Sequence, residues 1–192
     1  MSADERAAKG KTLRDAAPRT SHAGWSRDPV ELLSASNQGR VPALIPIGFG
    51  RMSASPFAFY PSSAALMAAD LAHTPTSGIR VQPCGDAHLM NFGGFATPER
   101  NVIFDINDLD ETLPAPFEWD LKGLAASVMI TANYLQLPNS DAAMMAGYMG
   151  SGQSFDDAIG EFAVEYAAQN RTDYRAFIKA IREGRIPAAL EG

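Results

Sequence analysis

The chain has 192 residues, 46% of them apolar and 20% charged, and a net charge of −6. That is the composition of one globular domain with a real core, not of a disordered or fibrous chain. The acidic balance argues against non-specific nucleic-acid binding, which rests on basic patches. No run approaches the roughly 18 apolar residues of a membrane span, so neither nucleic acid nor membrane is expected as a partner.

In chain order, residues 1–26 are polar and read as a flexible arm, and 27–192 as a single domain. Asp28-Pro29 opens a short helix, with Asp28 as cap and Pro29 at the first helical position, ending near Gly39. Val41–Met52 is interrupted by Pro42, Pro46, Gly48 and Gly50 and is expected to be extended and looping. Ser55-Pro56 leads into an aromatic cluster of Phe57, Phe59 and Tyr60. Pro61 starts a helix of small apolar residues running through Ala72, and Thr74–Gly78 is a turn.

Ile79–Pro83 reads as a strand, Gly85–Gly94 as a loop, Ala96–Arg100 as a hairpin turn and Asn101–Ile106 as a second strand. Phe117–Leu135 carries Leu121, Leu124, Ala125, Val128 and Met129 at helical spacing. Pro138-Asn139-Ser140 breaks it, and two more helices are expected over 141–169 and 172–184, the first weakened by Gly147, Gly150 and Gly152. The methionines at 144, 145 and 149 read as core. The fold class is α+β, helix-rich, with a short two-strand unit bearing the polar residues.

Those polar residues lie in Cys84-Gly85-Asp86-Ala87-His88-Leu89-Met90-Asn91-Phe92-Gly93, followed by a dense acidic stretch from Asp105 to Asp120. Phosphoryl transfer needs a carboxylate to orient or deprotonate a hydroxyl, and oxygen ligands to hold the Mg²⁺ that neutralises the transferred group. Asp86 and Asn91 share one loop and can face a common point, to which the second strand delivers Asp105 or Asp108. Gly85 and Gly93 allow close approach of phosphate to the backbone. The plainer reading of the acidic stretch is a solvated loop in which Asp and Asn serve turns.

His88 suits bracing of the catalytic loop, with packing and metal ligation as alternatives. Asp120 starts a helix, where a carboxylate favours exposed amides, and can brace the loop. Trp119 reads as a core anchor, and His22 and His73 have no assigned role. Cys84 is the sole cysteine. No intramolecular disulfide can form, a cytoplasmic location is expected, and packing suits this thiol better than a nucleophile's role.

Phe49-Gly50-Arg51-Met52, Ser55-Pro56-Phe57-Ala58-Phe59, the Cys84–His88 and Asn91–Gly93 segments, Asn107-Asp108, Asp110-Glu111-Thr112 and Phe117-Glu118-Trp119-Asp120 together resemble a bacterial family called domain of unknown function 2252. The resemblance implies a protein-kinase-like, aminoglycoside-phosphotransferase-like fold, of which this chain would supply the larger, catalytic lobe. Phosphotransferases of that group carry H-G-D-x-H-x-x-N, then a strand ending in an acidic motif, then D-L-A opening a helix. By resemblance Asp86 and His88 take catalytic positions, Gly85 and Gly93 border the cofactor, and Asn91 and Asp108, with Asp105 second, bind the metal. Asp120-Leu121 matches the helix-opening pair.

Mg²⁺ and ATP are the implied cofactors, and a nucleotide and an unknown phosphoryl acceptor the implied partners. Cys84 stands where the pattern has its first His. Pro61-Ser62 and Lys122-Gly123 stand where the family usually has arginines. A Gly-rich loop and strand lysine are missing before Asp86. In the family similar segments follow the catalytic motif, so the chain reads as incomplete at its C-terminus, needing a further segment or a partner chain. A truncated or degenerate binding module, and a metal-dependent phosphoesterase suggested by Gly-Asp-x-His, are the competing expectations.

Overall fold

The computed structural model describes residues 27–74, 76–137 and 153–189. The arm, His22, the break at 138–140 and the helical reading and core methionines of 141–152 fall outside the described residues. What is described is α+β and helix-rich.

Asp28 caps α1 (Pro29–Ala35), its Oδ1 accepting from the amides of Val30 and Glu31. The expected extended segment is instead a 3-10 turn, Pro42–Leu44, continuing into α2 (Ile45–Met52). Pro42 and Pro46 lie in first turns, where a missing N–H costs nothing. Gly50 is required by packing, because a Cβ there would lie 1.9 Å from the Ala189 carbonyl oxygen. Ser55 Oγ caps the short α3 (Pro56–Phe59), and α4 (Ala64–Leu71) follows a 3-10 turn at Pro61–Ser63.

The strands form two separate antiparallel pairs rather than one unit. β1 (Arg80–Val81) pairs with β4 (Ala115–Pro116), and β2 (Phe92–Ala96) with β3 (Val102–Ile106). β1 is thus shorter than its sequence pattern, and β2 begins inside the segment read as loop. The hairpin turn at 97–100 closes as expected, with Arg100 N–H donating to the Thr97 carbonyl.

α5 (Glu118–Tyr134) runs through the centre with residues buried on most sides. Ala125, Ala126 and Ala132 join Ala163 and Ala167 of α6 (Gln153–Arg182) in one cluster with Tyr60, Met129, Phe162 and Tyr166. A second cluster gathers Leu33, Phe49, Phe59, Leu66 and Phe177, with the Phe59 and Phe177 rings 5.3 Å apart. α6 is continuous where two helices were expected. Its polar mid-point is satisfied: Asn170 Nδ2 donates to the Pro56 carbonyl at 3.0 Å and Thr172 Oγ1 to the Ala168 carbonyl. Arg27 ties α4 to α6, pairing with Asp70 of α4 and, at 2.8 Å, with Asp173 of α6. Tyr166 donates to the same Asp70 carboxylate.

No described helix is long and apolar enough to cross a membrane.

Candidate active site

The Cys84–Asn91 loop is held from three directions. Asp120, in the first turn of α5, accepts from the amides of Cys84 and Gly85, so the bracing role expected of this carboxylate is present. Ser127, one face further along α5, accepts from the Leu89 amide at 3.1 Å and donates to the Leu124 carbonyl. From the acidic loop, Thr112 Oγ1 donates to the Pro83 carbonyl and accepts from Gln82 Nε2. Gly85 has φ +85°, and a Cβ there would stand 2.2 Å from the Glu111 carbonyl oxygen. The glycine lets the acidic loop press against the motif loop.

Asn91 is buried, and its Nδ2 donates to two backbone carbonyls, those of Asp86 and Asp108, each at 3.1 Å. Its own carbonyl accepts from the Asn107 amide at 2.8 Å. One asparagine therefore holds the motif loop against the end of β3. With Nδ2 committed to those carbonyls, Oδ1 is the atom of this amide with a metal ligand's chemistry. Asp108 Oδ1 accepts from the Asp110 amide, closing a local turn. Asp105 lies on β3 opposite Gly93, with Oδ1 on the Ile106 amide. Gly93 is kept small by the Asn107 side chain, whose Nδ2 would lie 2.5 Å from a Cβ. The side chains expected from the sequence to bind a metal, Asn91, Asp105 and Asp108, offer oxygen atoms, the type a hard cation requires. Among the described residues no group of three or more His, Cys, Asp or Glu is gathered as a metal cluster.

His88 is buried. Its Nδ1 accepts from the Met90 amide at 3.1 Å, so a neutral ring carries its proton on Nε2. That nitrogen lies 3.3 Å from Asp86 Oδ2. The histidine is thereby placed to orient the Asp86 carboxylate, which remains partly exposed. Cys84 is buried, and desolvation pushes its thiol up to about 11, so it stays protonated at neutral pH and does not suit a nucleophile.

Behind Asp86 a cavity of about 20 Å³, room for one water, is lined by Tyr60, Met67, Leu71, Trp119 and Gly123 among others. Tyr60 OH donates to the Gly123 carbonyl at 2.7 Å, and burial, with the Asp86 charge, raises its pKa well above the ordinary value. Trp119 packs partly buried against the core as expected, but its buried Nε1 has no hydrogen-bond partner among the described residues. Lys122 is buried one turn on, over the Phe162 ring at 5.2 Å, with Nζ donating to Thr74 Oγ1. Sequence reading singles out neither Ser127 nor the hydroxyl role of Tyr60, which it places only in an aromatic cluster, because a hydroxyl far along the chain from its partner carries no motif.

A helix-rich α+β protein with a carboxylate-bearing loop clamped between a central helix and a β-hairpin is the class these features define. The chain matches the family described as "Uncharacterized protein conserved in bacteria (DUF2252)" over residues 40–147 and 138–180. It belongs to that bacterial family. Comparisons with curated proteins and with solved structures give no match.

Proposed function

We propose that this chain carries the catalytic part of a Mg²⁺- and ATP-dependent phosphotransferase of kinase-like type. The supporting observation is the Asn91 amide, which donates to the backbone carbonyls of both Asp86 and Asp108 and so ties the two segments together. In this reading Asp86 orients an acceptor hydroxyl and takes its proton, and His88 Nε2–H keeps the carboxylate turned toward it. Asn91 and Asp108, with Asp105 as second choice, would hold Mg²⁺. The ion, when bound, would neutralise charge on the transferred phosphoryl group. Gly85 and Gly93 border the space for phosphate. The nucleotide lobe would come from a segment beyond this stretch or from a partner chain. A cytoplasmic setting, where ATP is available, suits the single buried thiol.

The test uses the protein extended to include that lobe. Asp86→Ala and Asp108→Ala each abolish γ-phosphate transfer while leaving the melting transition in place. Normal turnover by either variant refutes the assignment.

A non-catalytic reading has its own support: Asp105 and Asp108 already spend an oxygen each on local amides, as turn-forming acids do. Calorimetry with Mg·ATP separates the two. Binding to the extended protein favours the phosphotransferase, and binding to neither form favours a degenerate module.

A further inference from the structure

On the far side of α5 from the Asp120 clamp, at its C-terminal end, lies a cavity of about 270 Å³ between α3, α5 and α6. Phe57 and Tyr134 form one wall, their rings stacked 4.8 Å apart at 19°. Ile130 and Ala167 supply an apolar floor. Asn133, Gln136 and Asn170 supply amides, and among the described residues Arg171 is the one charged residue lining it. Arg171 is exposed, and no carboxylate among the described residues pairs with it. A guanidinium without an acidic partner, at the mouth of an aromatic cavity on a chain of net charge −6, is set to receive a planar anion. Apolar cavities of roughly 150 Å³ accept a benzene ring, so this one has room for a bicyclic body. Pockets that bind small molecules have this make-up, apolar walls with a few convergent polar groups.

We propose that this cavity is a binding site for a small aromatic carboxylate, its ring system against Phe57, Tyr134 and Ile130 and its carboxylate on Arg171. The site is distinct from the Asp86 loop: the Gly123 and Asn133 positions on α5 are separated by about 15 Å at the rise of an α-helix.

The probe is 2-naphthoate, titrated by calorimetry into the 192-residue chain, with neutral 2-naphthamide as its isostere. One saturable site is expected, with binding weakened about tenfold or more for the amide and for Arg171→Gln, the loss of a charge-assisted bidentate contact. Tyr134→Ala, at a half-exposed ring, weakens both probes while leaving the far-UV spectrum unchanged. Asp86→Asn leaves naphthoate binding as it was, which separates this site from the proposed catalytic one. Absence of saturable binding, equal affinity for acid and amide, indifference to Arg171→Gln, or loss on Asp86→Asn would each overturn the proposal.

Discussion

The carboxylate of Asp120 accepts from two consecutive backbone amides, Cys84 at 2.8 Å and Gly85 at 3.2 Å, across 36 and 35 positions of sequence. Two successive N–H groups aimed at one carboxylate fix the turn that presents Asp86. Asp120→Ala leaves both amides without that acceptor. A loss of about 2–3 kcal/mol is expected in urea unfolding, given the usual penalty for unsatisfied donors next to a lost charged partner. Faster hydrogen exchange at Cys84 and Gly85 than at mid-α5 amides locates the effect. Unchanged exchange there contradicts the clamp.

Gly85 is constrained by both its backbone and its neighbour. Gly85→Ala meets a φ of +85° and the Glu111 carbonyl oxygen at 2.2 Å, and is expected to cost at least about 3 kcal/mol. Gly184→Ala is the control: φ is +71° with nothing within 4 Å of the added Cβ, so only the left-handed conformation is penalised, about 1 kcal/mol. Equal melting temperatures for the two variants would show that the acidic loop does not press on the motif loop.

Asn91 donates to two carbonyls, and a carboxylate cannot donate. Asn91→Asp therefore puts a buried negative charge against two carbonyl oxygens and is expected to destabilise by about 3 kcal/mol, at least as much as Asn91→Ala. Denaturant midpoints of the pair check this. An aspartate variant more stable than the alanine would mean that the two carbonyls are not held by this side chain.

Lys122 gives stability a pH signature. Burial, opposed by the Glu118 charge, lowers its ammonium from the ordinary 10.5 to about 8. Between about 8 and 10.5 the unfolded chain holds the proton that the folded chain has released, so this group makes stability rise with pH. The penalty is complete below about 8 and gone above 10.5, and amounts to at most about 3 kcal/mol. Cys84, raised by burial from 9.0 to about 11, acts oppositely between those values. The stability difference between wild type and Lys122→Met isolates the lysine: it should move in favour of wild type across pH 8–10. A pH-independent difference contradicts the lowered value.

The sequence was most readable where one periodicity ruled. The 3.6-residue pattern of Leu121, Leu124, Ala125, Val128 and Met129 marks α5 to within a residue at each end. It was least readable where Pro and Gly have positional meanings that a linear reading cannot assign. Pro42 and Pro46 start helical turns in a segment that reads as extended. Asn170 and Thr172 look like a helix boundary until Pro56 and Ala168 are seen to take their side chains. His88 lies within the Cys84–Asn91 motif and Asp120 in the first turn of the helix that follows the acidic stretch, so both carry a local signal that singles them out. The buried Asp70 was not, since a lone acid in an apolar helix says nothing of a partner 43 residues earlier and another element 96 later.

Arg27 reaches Asp173 across 146 positions, and the Ala189 amide returns to the Pro46 carbonyl at 2.8 Å. Stretches far apart in sequence are thus laced together, like a purse drawn from both strings. Shortening it to begin after Arg27 strands two interior acids, Asp70 and Asp173, without their cation. Such lacing depends on contacts between remote parts of the chain, which form slowly, and a ribosome-bound fragment ending before Asp173 lacks the Arg27–Asp173 contact.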